Sequence, residues 1–453
     1  MRKILTAVIA LTLLTPIGVT TSNAAVKAGA NCNKLNATTT AGGKKFTCVK
    51  SGGKLIWSLN STSSLDNSAP QVSSTSTFAP SGECQLKKPS NLPMDDGPMG
   101  SVGFPRDASS MNSLGSHKGL VLFVDFPDVA APSDLKSAWE KSSIPLAESL
   151  FNFASYGKFK LKIDMSKKIY RIQKNSEYYA LMEAPSGGPI PGAPPPKLDE
   201  VVSDAMALAD ADIDFTNYLF VTVATPKSSK LSISGATGLG PNPKQFDGFT
   251  YSKASFQSLD SLTPIDKPYK TLNFTHDIGH MLGLSHPYVE RAPIHGAWDI
   301  MWNFAYQNDF LGWNKWKLEW IAMDQVSCLS TNLDSEVITL LTPIGDPINK
   351  NKMVIIKLNS TSALAIELRR KTPFEKLSTI NEGVIVYKVD TTKGQSDGPF
   401  TILSNPNKRI ESQQFNMILG TMRKGESTKT NGFEIKVIHS NSIGDYVSIK
   451  KSA

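Results

Sequence analysis

Three histidines, at positions 276, 280 and 286, have the spacing of metal ligands. Residues four apart lie on one face of an α-helix with Cβ atoms roughly 5–6 Å apart, so the imidazoles of His276 and His280 can reach one ion at about 2.0–2.1 Å. His286 lies about 240° further round the helix than His280, so the helix has to end between them. Gly283 can adopt the left-handed conformation that ends a helix, and Pro287 cannot continue one. The spacing therefore predicts that the chain turns at Gly283 and returns His286 to the metal.

Three imidazole ligands also indicate the kind of metal site. A tetrahedral zinc ion with three protein ligands keeps its fourth position open, whereas a structural zinc ion has four protein ligands. The open position is typical of a catalytic ion, which polarises a carbonyl group and lowers the pKa of water toward neutrality. The three histidines therefore predict a zinc hydrolase.

The stretch from His276 to His286 resembles the metzincin signature HExxHxxGxxH and departs from it only at Asp277. Further along the chain, Trp298-Asp299-Ile300-Met301 resembles the methionine-containing turn that lies beneath the metal in that clan. The resemblance implies that the three histidines bind Zn²⁺ and that Met301 supports the site from below.

Segments outside the motif are similar to secreted bacterial peptidases of the immune inhibitor A type. The similarity extends over roughly residues 84–450. In that family the last ligand position is often acidic, whereas His286 follows the general metzincin pattern. The similar segments are Ser155-Tyr156-Gly157-Lys158, Ala207-Leu208-Ala209-Asp210 running into Asp214-Phe215, Leu311-Gly312-Trp313-Asn314-Lys315-Trp316, and Glu382-Gly383-Val384-Ile385-Val386-Tyr387.

Asp277 stands where the family has the glutamate that takes a proton from water and hands it to the leaving amine. Its side chain is shorter than that of glutamate by one C–C bond, about 1.5 Å. A general base acts within about 2.6–3.2 Å of its proton partner, and its placement is worth roughly 10²–10⁴ in rate. Asp277 is therefore the candidate general base and acid, and a second bridging water or a small helix displacement would have to make up the missing length.

Three functions are consistent with these residues. The first is a secreted zinc endopeptidase that hydrolyses peptide bonds in protein or peptide substrates with zinc-activated water. The second is a catalytically impaired metzincin, disabled by Asp277, that acts as a cell-surface binding protein. The third is a zinc hydrolase of cell-wall amides. Restoring glutamate at position 277 separates the first two functions, and comparing casein with purified wall polymer separates the two kinds of substrate.

The N-terminus has the pattern of an export signal. Arg2 and Lys3 precede an apolar run over residues 4–19, and the small residues Ser22-Asn23-Ala24 follow it. This order predicts a secretory signal peptide at residues 1–24. The run is shorter than the roughly 20 residues of a membrane span, and no second run of that length follows. We therefore expect a protein without a membrane span that is secreted to the outside of the cell or held at the cell wall.

Four cysteines, an even number, suit an oxidising compartment in which they form disulfides. Four cysteines allow three pairings. Proximity in sequence favours Cys32 with Cys48, which leaves Cys84 for Cys328. A metal site built from cysteines is not expected, because the chain has no CxxC pair.

The formal net charge of +8 resides in the N-terminal segment. Residues 1–58 contain eight lysines or arginines and no acidic residue, and the remainder has forty charges of each sign. Residues 25–59 therefore predict a small basic β module, closed by a disulfide, whose residues 26–58 bind an acidic cell-surface polymer. A solubilising spacer without a partner is the alternative. Nucleic acid is not expected as a partner, because the excess of basic residues is confined to this module.

Composition divides the rest of the chain into three parts. Residues 60–83 are rich in Ser and Thr and predict a flexible linker. Residues 84–332 contain the metal motif and predict an α/β (α+β) metzincin-like zinc peptidase domain. Residues 333–453 contain short alternating apolar runs between Gly, Pro, Asn and Asp, which predict an antiparallel β-sandwich domain. A structural Ca²⁺ ion is compatible with the chain, although no EF-hand-like acidic loop is present.

Within residues 84–332, helical and strand patterns alternate. Apolar runs of strand length occur at 119–125 and 218–224. Leu, Ala, Val and Phe recur with helical spacing at 134–155 and 198–211, and the metal-binding helix is expected to begin near Phe274. This alternation favours a sheet covered by helices.

Overall fold

The chain divides into two compact units, with the boundary between Ala69 and Pro70. The signal peptide predicted for residues 1–24 lies outside the described residues. The computed structural model describes residues 26–27, 29–35, 37–42, 44–51, 54–60, 69–90, 101–181, 192, 194–226, 235–236, 245–250, 254–258, 272–286, 298–302, 309–375, 382–394, 397–403 and 420–452.

The N-terminal unit contains a three-stranded antiparallel sheet. Its strands are β1 (Thr38–Ala41), β2 (Lys44–Ser51) and β3 (Lys54–Asn60), in the spatial order β1-β2-β3. Cys48 in β2 is fully buried and forms a disulfide with Cys32, the two Cα atoms lying 5.8 Å apart. The disulfide predicted for this unit is confirmed. In the chain-entropy model, a loop of this length contributes about 3 kcal/mol to the stability of the unit.

The second unit begins with a mostly parallel sheet. The strands of this region are β4 (Gly115–Asp125), β5 (Phe159–Met165), β6 (Tyr170–Arg171), β7 (Phe220–Thr225), β8 (Gly235–Ala236), β9 (Gln245–Phe246), β10 (Phe249–Thr250) and β11 (Ala254–Ser258). The order is β5-β4-β7-β11-β8, with β6 also paired to β4, while β9 and β10 form a separate hairpin. Strands β4, β5, β7 and β11 are parallel, and β8 runs antiparallel to β11 at the edge.

The central strands of this sheet are buried on both faces, which explains their continuous apolar sequence. Along β4, Val121 and Phe123 face one hydrophobic cluster, and Leu120 and Leu122 face another. The strand predicted at residues 119–125 lies inside β4, and the one predicted at 218–224 overlaps β7.

Five helices lie within the described part of the chain. They are α1 (Leu135–Glu140), α2 (Ser143–Ala154), α3 (Leu198–Ala209), α4 (Asn273–Met281) and α5 (Gly312–Lys317). Helices α1, α2 and α4 contribute Trp139, Leu150 and Ile278 to the cluster on one face of the sheet. Helix α3 contributes Val201 and Met206 to the cluster on the other face. The sheet is therefore covered on both sides.

The single helix predicted at residues 134–155 is two helices in the structure. Helix α1 ends at Glu140 and α2 begins at Ser143. Pro145 lies in the first turn of α2, where its missing N–H costs no helical hydrogen bond, whereas inside one continuous helix its ring would collide with the carbonyl group of Lys141. The periodic pattern was right, and the proline divides it.

Two further sheets complete the second unit. Their strands are β12 (Val326–Ser330), β13 (Val337–Leu341), β14 (Met353–Lys357), β15 (Ser362–Arg369), β16 (Gly383–Asp390), β17 (Phe400–Ile402), β18 (Ser427–Thr430), β19 (Phe433–Ser440) and β20 (Asp445–Lys451). One sheet has the order β12-β14-β15-β16-β17 and the other β13-β20-β19-β18. All pairs are antiparallel except β12 with β14, which is parallel.

The five-stranded sheet is buried on both faces. In β14, Val354 and Ile356 pack with residues of the four-stranded sheet, so these two sheets stack face to face. Met353 and Ile355, which alternate with them, pack with Trp313 and Trp316 in a second cluster on the other face. Residues 70–453 thus form one compact unit in which this sheet is shared by two hydrophobic clusters. The domain boundary predicted between residues 332 and 333 stays a prediction.

Residues just after the unit boundary are attached to the five-stranded sheet. The N–H of Ala79 donates to the carbonyl of Cys328 at 2.9 Å, and Ser81 Oγ donates to the carbonyls of Met323 and Val326. Cys84 is bonded to Cys328, with Cα atoms 5.7 Å apart, so the second predicted disulfide is also confirmed. Residues from Pro70 onward belong to the second unit, and the linker predicted at residues 60–83 stays a prediction.

The length of the helices bears on the membrane prediction. No helix among the described residues combines the length and the apolar character that crossing a bilayer requires.

Candidate metal centre

Helix α4 presents two histidines from one face. His276 and His280 are only 5% and 6% exposed, and their ring centroids lie 4.5 Å apart. On the opposite side of the helix, Phe274 and Ile278 are buried in the cluster between the sheet and α2. The apolar face of α4 is thus anchored in the core, and this anchoring aims both imidazoles at the same point.

The helix ends as the sequence predicts. Gly283 has a φ angle of +89°, its N–H donates to the carbonyl of His280 at 2.8 Å, and the N–H of Leu284 donates to that of Gly279 at 3.1 Å. These two bonds form the Schellman motif that closes a helix with a left-handed residue. A Cβ atom at position 283 would also collide with the side chain of Ser110, so the turn fits glycine for two reasons.

This turn brings the third histidine back to the other two. His286 Nε2 lies 2.9 Å from His276 Nε2 and 2.8 Å from His280 Nε2, and the last two nitrogens are 3.0 Å apart. The three predicted ligands therefore form a compact triangle of nitrogen atoms.

Backbone carbonyls determine which nitrogen carries the proton in two of the rings. His276 Nδ1 lies 3.0 Å from the carbonyl oxygen of Ile300, and His280 Nδ1 lies 2.8 Å from that of Leu284. A carbonyl oxygen only accepts, so each Nδ1 is the N–H donor, and in a neutral ring the lone pair is then on Nε2. Two lone pairs thus point into the triangle.

Burial keeps these rings neutral. Burial, with a smaller contribution from the neighbouring His280, lowers the pKa of His276 to about 3, and burial lowers the pKa of His280 to about 4. The pKa of His286 is also lowered, first by burial and then by the two neighbouring rings. The rings are therefore uncharged at neutral pH, which is the state in which imidazole binds a metal.

The geometry suits one metal ion. Two nitrogens that both lie about 2.0–2.1 Å from an ion cannot be more than about 4.2 Å apart, and the three observed separations lie within this limit. Within the described residues, these histidines are the group of three whose ligand atoms all lie within 4.8 Å of one another. The Nε2 lone pairs of His276 and His280, 3.0 Å apart, repel each other, and a cation would remove this repulsion.

Asp277, the candidate general base, is buried against the sheet. Gln257 in β11 donates from Nε2 to Asp277 Oδ2, and both side chains are at least 96% buried. The hydrogen bond links the carboxylate to the strand that lies beside the edge strand β8. The sheet therefore determines how the Asp277 carboxylate is oriented.

Met301 packs directly on the helix between the two ligands. A Cβ atom at Gly279 would collide with the Sδ atom of Met301, which is fully buried. Gly279 thus leaves the space that the thioether occupies. Met301 lies against α4, and its predicted role in supporting a metal from below remains a prediction.

Asp299 holds the turn that contains Met301. Its carboxylate accepts the N–H of Met301 and of Leu311, both at 2.7 Å, and the side-chain amide of Asn314 at 2.8 Å. The pKa of Asp299 is raised to about 7, because burial raises it by more than these donors lower it. Two of these donors, Leu311 and Asn314, thus tie residues 298–302 to the start of α5.

The edge strand β8 lies beside the site. Helix α4 is close to both β8 and β11. In the described part of the chain, no strand pairs with the outer side of β8. An edge strand has backbone N–H and C=O groups that can pair with an extended peptide, so a substrate could add to the sheet here.

Sequence reasoning missed Gln257 and Asp299 as supporting residues. Gln257 lies in the strand Ala-Ser-Phe-Gln-Ser, where a buried amide needs a polar partner, and this was the available signal. Asp299 was named within the methionine turn, but its three hydrogen bonds depend on residues brought together by folding.

Comparison of the chain with models of known protein families gives no match, and comparison with curated proteins gives none.

Proposed function

We propose that this protein is an exported zinc-dependent endopeptidase of the metzincin type. The observation that carries the proposal is the triangle of three Nε2 atoms 2.8–3.0 Å apart. Donation from Nδ1 to a backbone carbonyl is the usual support of a histidine ligand, and two of the three rings have it. The resemblance of residues 276–286 and 298–301 to metzincin motifs supplies the class of reaction.

The histidines would hold the metal, and neighbouring residues would fix them. Zinc, when bound, supplies a Lewis acid that polarises the scissile carbonyl and makes water nucleophilic near neutral pH. His276, His280 and His286 would bind it as neutral ligands and leave space for water and substrate. Met301, packed at Gly279, would maintain the spacing of the two helical ligands.

Asp277 would move the proton. As the water oxygen adds to the carbonyl carbon of the peptide, the carboxylate of Asp277 accepts the proton that the water loses. As the C–N bond breaks, the same carboxylate delivers that proton to the amine nitrogen. Gln257, which donates to Oδ2, would orient the carboxylate during both transfers.

The sheet edge would orient the substrate. An extended peptide paired with β8 lies along the sheet beside α4, so its carbonyl groups pass close to the three histidines. A peptide bound in this way contributes backbone hydrogen bonds of its own, which favours an endopeptidase that accepts many sequences.

Cleavage of casein by residues 25–453 tests the proposal. We expect cleavage that a zinc chelator abolishes, that added zinc restores, and that the His280→Ala variant lacks. Metal analysis of the same preparation should give one zinc per chain. A chain that binds no zinc, or a cleavage that the chelator does not affect, would overturn the proposal.

A second candidate is a zinc-binding metzincin that does not cleave peptides and binds to the cell surface instead. The observation in its favour is that the short carboxylate of Asp277 is bonded to Gln257 in the sheet. Asp277→Glu distinguishes the two. In an impaired enzyme it should raise cleavage, whereas stoichiometric zinc with no cleavage by either form would favour the binding protein.

The substrate could also be a cell-wall amide. Zinc-activated water would serve for a wall amide as well as for a peptide, so the choice depends on which polymer binds. Release of amines from purified wall polymer, with casein left intact, would replace peptides by wall amides as the substrate.

The N-terminal unit is proposed to attach the protein to an acidic surface polymer. Lys27, Lys34 and Lys54 are exposed on this small disulfide-linked sheet. Clustered lysines attract polyanions, and the attraction weakens as salt is added. Deletion of residues 26–58 should abolish salt-sensitive binding to purified wall polymer, and unchanged binding would identify the unit as a spacer.

A further inference from the structure

A buried arginine joins the methionine-containing turn to the C-terminal sheet. Arg369, the last residue of β15, has no exposed surface. Its guanidinium donates to the carbonyl of Trp298 at 2.8 Å and to that of Phe310 at 3.1 Å, and it lies over the Trp298 ring at 5.4 Å. One side chain from the sheet thus holds the residues on both sides of 299–309, namely Trp298 and Phe310.

Carboxylates around this arginine fix its direction. Glu367 Oε1 accepts from Arg369 at 2.7 Å, and Glu375 forms a second ion pair with it. The other oxygen of Glu367 accepts the N–H of Gly312 and the hydroxyl of Tyr387, both at 2.8 Å. Every one of these groups is buried, so the guanidinium has one orientation.

The turn connects this cluster to a metal ligand. Ile300 accepts the Nδ1–H of His276 on its carbonyl, and its own N–H donates to the carbonyl of Asp309 at 3.2 Å. Asp309 in turn pairs with Lys315 at 2.5 Å, with both side chains fully buried. Residues on either side of Ile300 are therefore held by Asp299 and Arg369, and the carbonyl that orients His276 has little freedom.

We propose that Arg369 is a positioning residue of the metal centre, and that the C-terminal sheet determines metal affinity by holding the Ile300 carbonyl against His276. This inference rests on the metal-binding part of the proposed function. It gives the C-terminal sheet a role in metal binding as well as in packing.

The cost of burying these charges supports the inference. A buried ion-pair network can often be replaced by apolar residues of similar volume without loss of stability. Stability alone therefore does not account for an arginine at position 369. An apolar side chain there could fill the volume but could not donate to the Trp298 and Phe310 carbonyls.

Zinc affinity of the full chain from residue 25, measured by competition with a chromophoric chelator, tests the inference. Loss of an outer partner of a histidine ligand costs roughly 10–100-fold in metal affinity, and we expect this loss for Arg369→Met. The absorption spectrum of bound Co²⁺ should change too, because His276 can then rotate.

Arg370→Met is the matched control. Arg370 follows on the same chain segment, pairs with Asp445 at 2.8 Å and donates to the carbonyl of Asn441, away from the turn. This variant should bind zinc as the parent does, even where it lowers stability. Equal zinc affinity in both variants and the parent would overturn the inference, whereas a parent that binds no zinc would overturn the proposed function instead.

Two further measurements apply if Arg369→Met does not fold. The triple variant Arg369→Met, Glu367→Gln, Glu375→Gln leaves no buried charge without its partner, and it should show the same loss of zinc affinity. In the unchanged chain, coupling is reciprocal, so zinc should slow hydrogen exchange in residues 298–302 and in β15, but not in β19. Protection confined to α4 would contradict the inference.

Discussion

The two helical histidines differ in what orients them. The Nδ1 of His280 donates to Leu284, four residues away, within the turn that ends the helix. The Nδ1 of His276 donates to Ile300, 24 residues away, in a turn held by the C-terminal sheet through Arg369. One ring thus has a local support and the other a remote one.

This difference teaches that a short motif can specify ligands without specifying their supports. The local support follows from helix geometry and one glycine, and any chain with that spacing can form it. The remote support requires a folded sheet, so His276 should respond to changes far from α4 that leave His280 unaffected.

Removal of either ring should have the largest effect and should not distinguish them. His276→Ala and His280→Ala each lose a ligand, so both should lower zinc affinity by more than the roughly 100-fold that loss of an outer partner costs. Competition with a chelator measures the loss, and His117→Ala, a histidine outside the triad, is the control. A small loss for one variant alone would show that its ring is not a ligand.

Gly283→Ala should break the local support. Alanine at a φ of +89° costs about 1–2 kcal/mol, and collision with Ser110 adds roughly 1–3 kcal/mol. The free energy of unfolding, from denaturant titration, should fall by the sum. Gly425→Ala, at a φ of +91° with open space around it, should show only the first part. Equal losses at the two positions would mean that the contact with Ser110 does not matter.

Asp299→Asn, in the turn that forms the remote support, should change how the stability of the protein depends on pH. Burial raises the pKa of Asp299 to about 7 from its ordinary 3.8. Between these values the folded state holds a proton that the unfolded state has lost, so the stability due to this group falls as the pH rises from about 4 to about 7. The variant lacks this fall, so its stability relative to the parent should increase by up to about 1.4 kcal/mol per pH unit.

Denaturant titrations of the metal-free protein at pH 5 and pH 7 measure this difference. Asp164→Asn, which replaces a partly exposed carboxylate on β5, is the control. A difference between Asp299→Asn and the parent that stays constant with pH would show that Asp299 is ionised throughout the range.

Met301→Leu should have the smallest effect. The two side chains have similar volumes, and such exchanges usually cost less than about 1.5 kcal/mol in unfolding free energy. Zinc affinity should change little, because Asp299 and Arg369 still hold the turn. A loss of zinc affinity as large as that of Arg369→Met would mean that the thioether itself supports the ligands.

Sequence reasoning succeeded where contacts are short in range or have few alternatives. Spacing predicted that His286 returns to His276 and His280 after a turn at Gly283, and the structure brings these nitrogens together. With four cysteines and one close pair, the second disulfide followed by elimination. These inferences need only helix geometry and counting.

The supporting residues could not be predicted in the same way. Gln257 and Asp277 are 20 residues apart, and Arg369 lies 71 residues from Trp298. No local pattern pairs them, because the pairing depends on strand order and on how the sheets pack. Pro145 indicates a division of the helix, but the apolar period continues across it and predicts a single helix.

The five-stranded sheet, with one face in each of two hydrophobic clusters, also bears on how this chain can be divided or recombined. Residues 84–332 expressed alone would lose β14, β15 and β16. Trp313 and Trp316 would then lack the apolar residues of these strands against which they pack. A C-terminal half from another protein would have to present a matching apolar face and an arginine at the position of Arg369. The two halves are therefore not interchangeable modules, and we expect them to occur together in related chains.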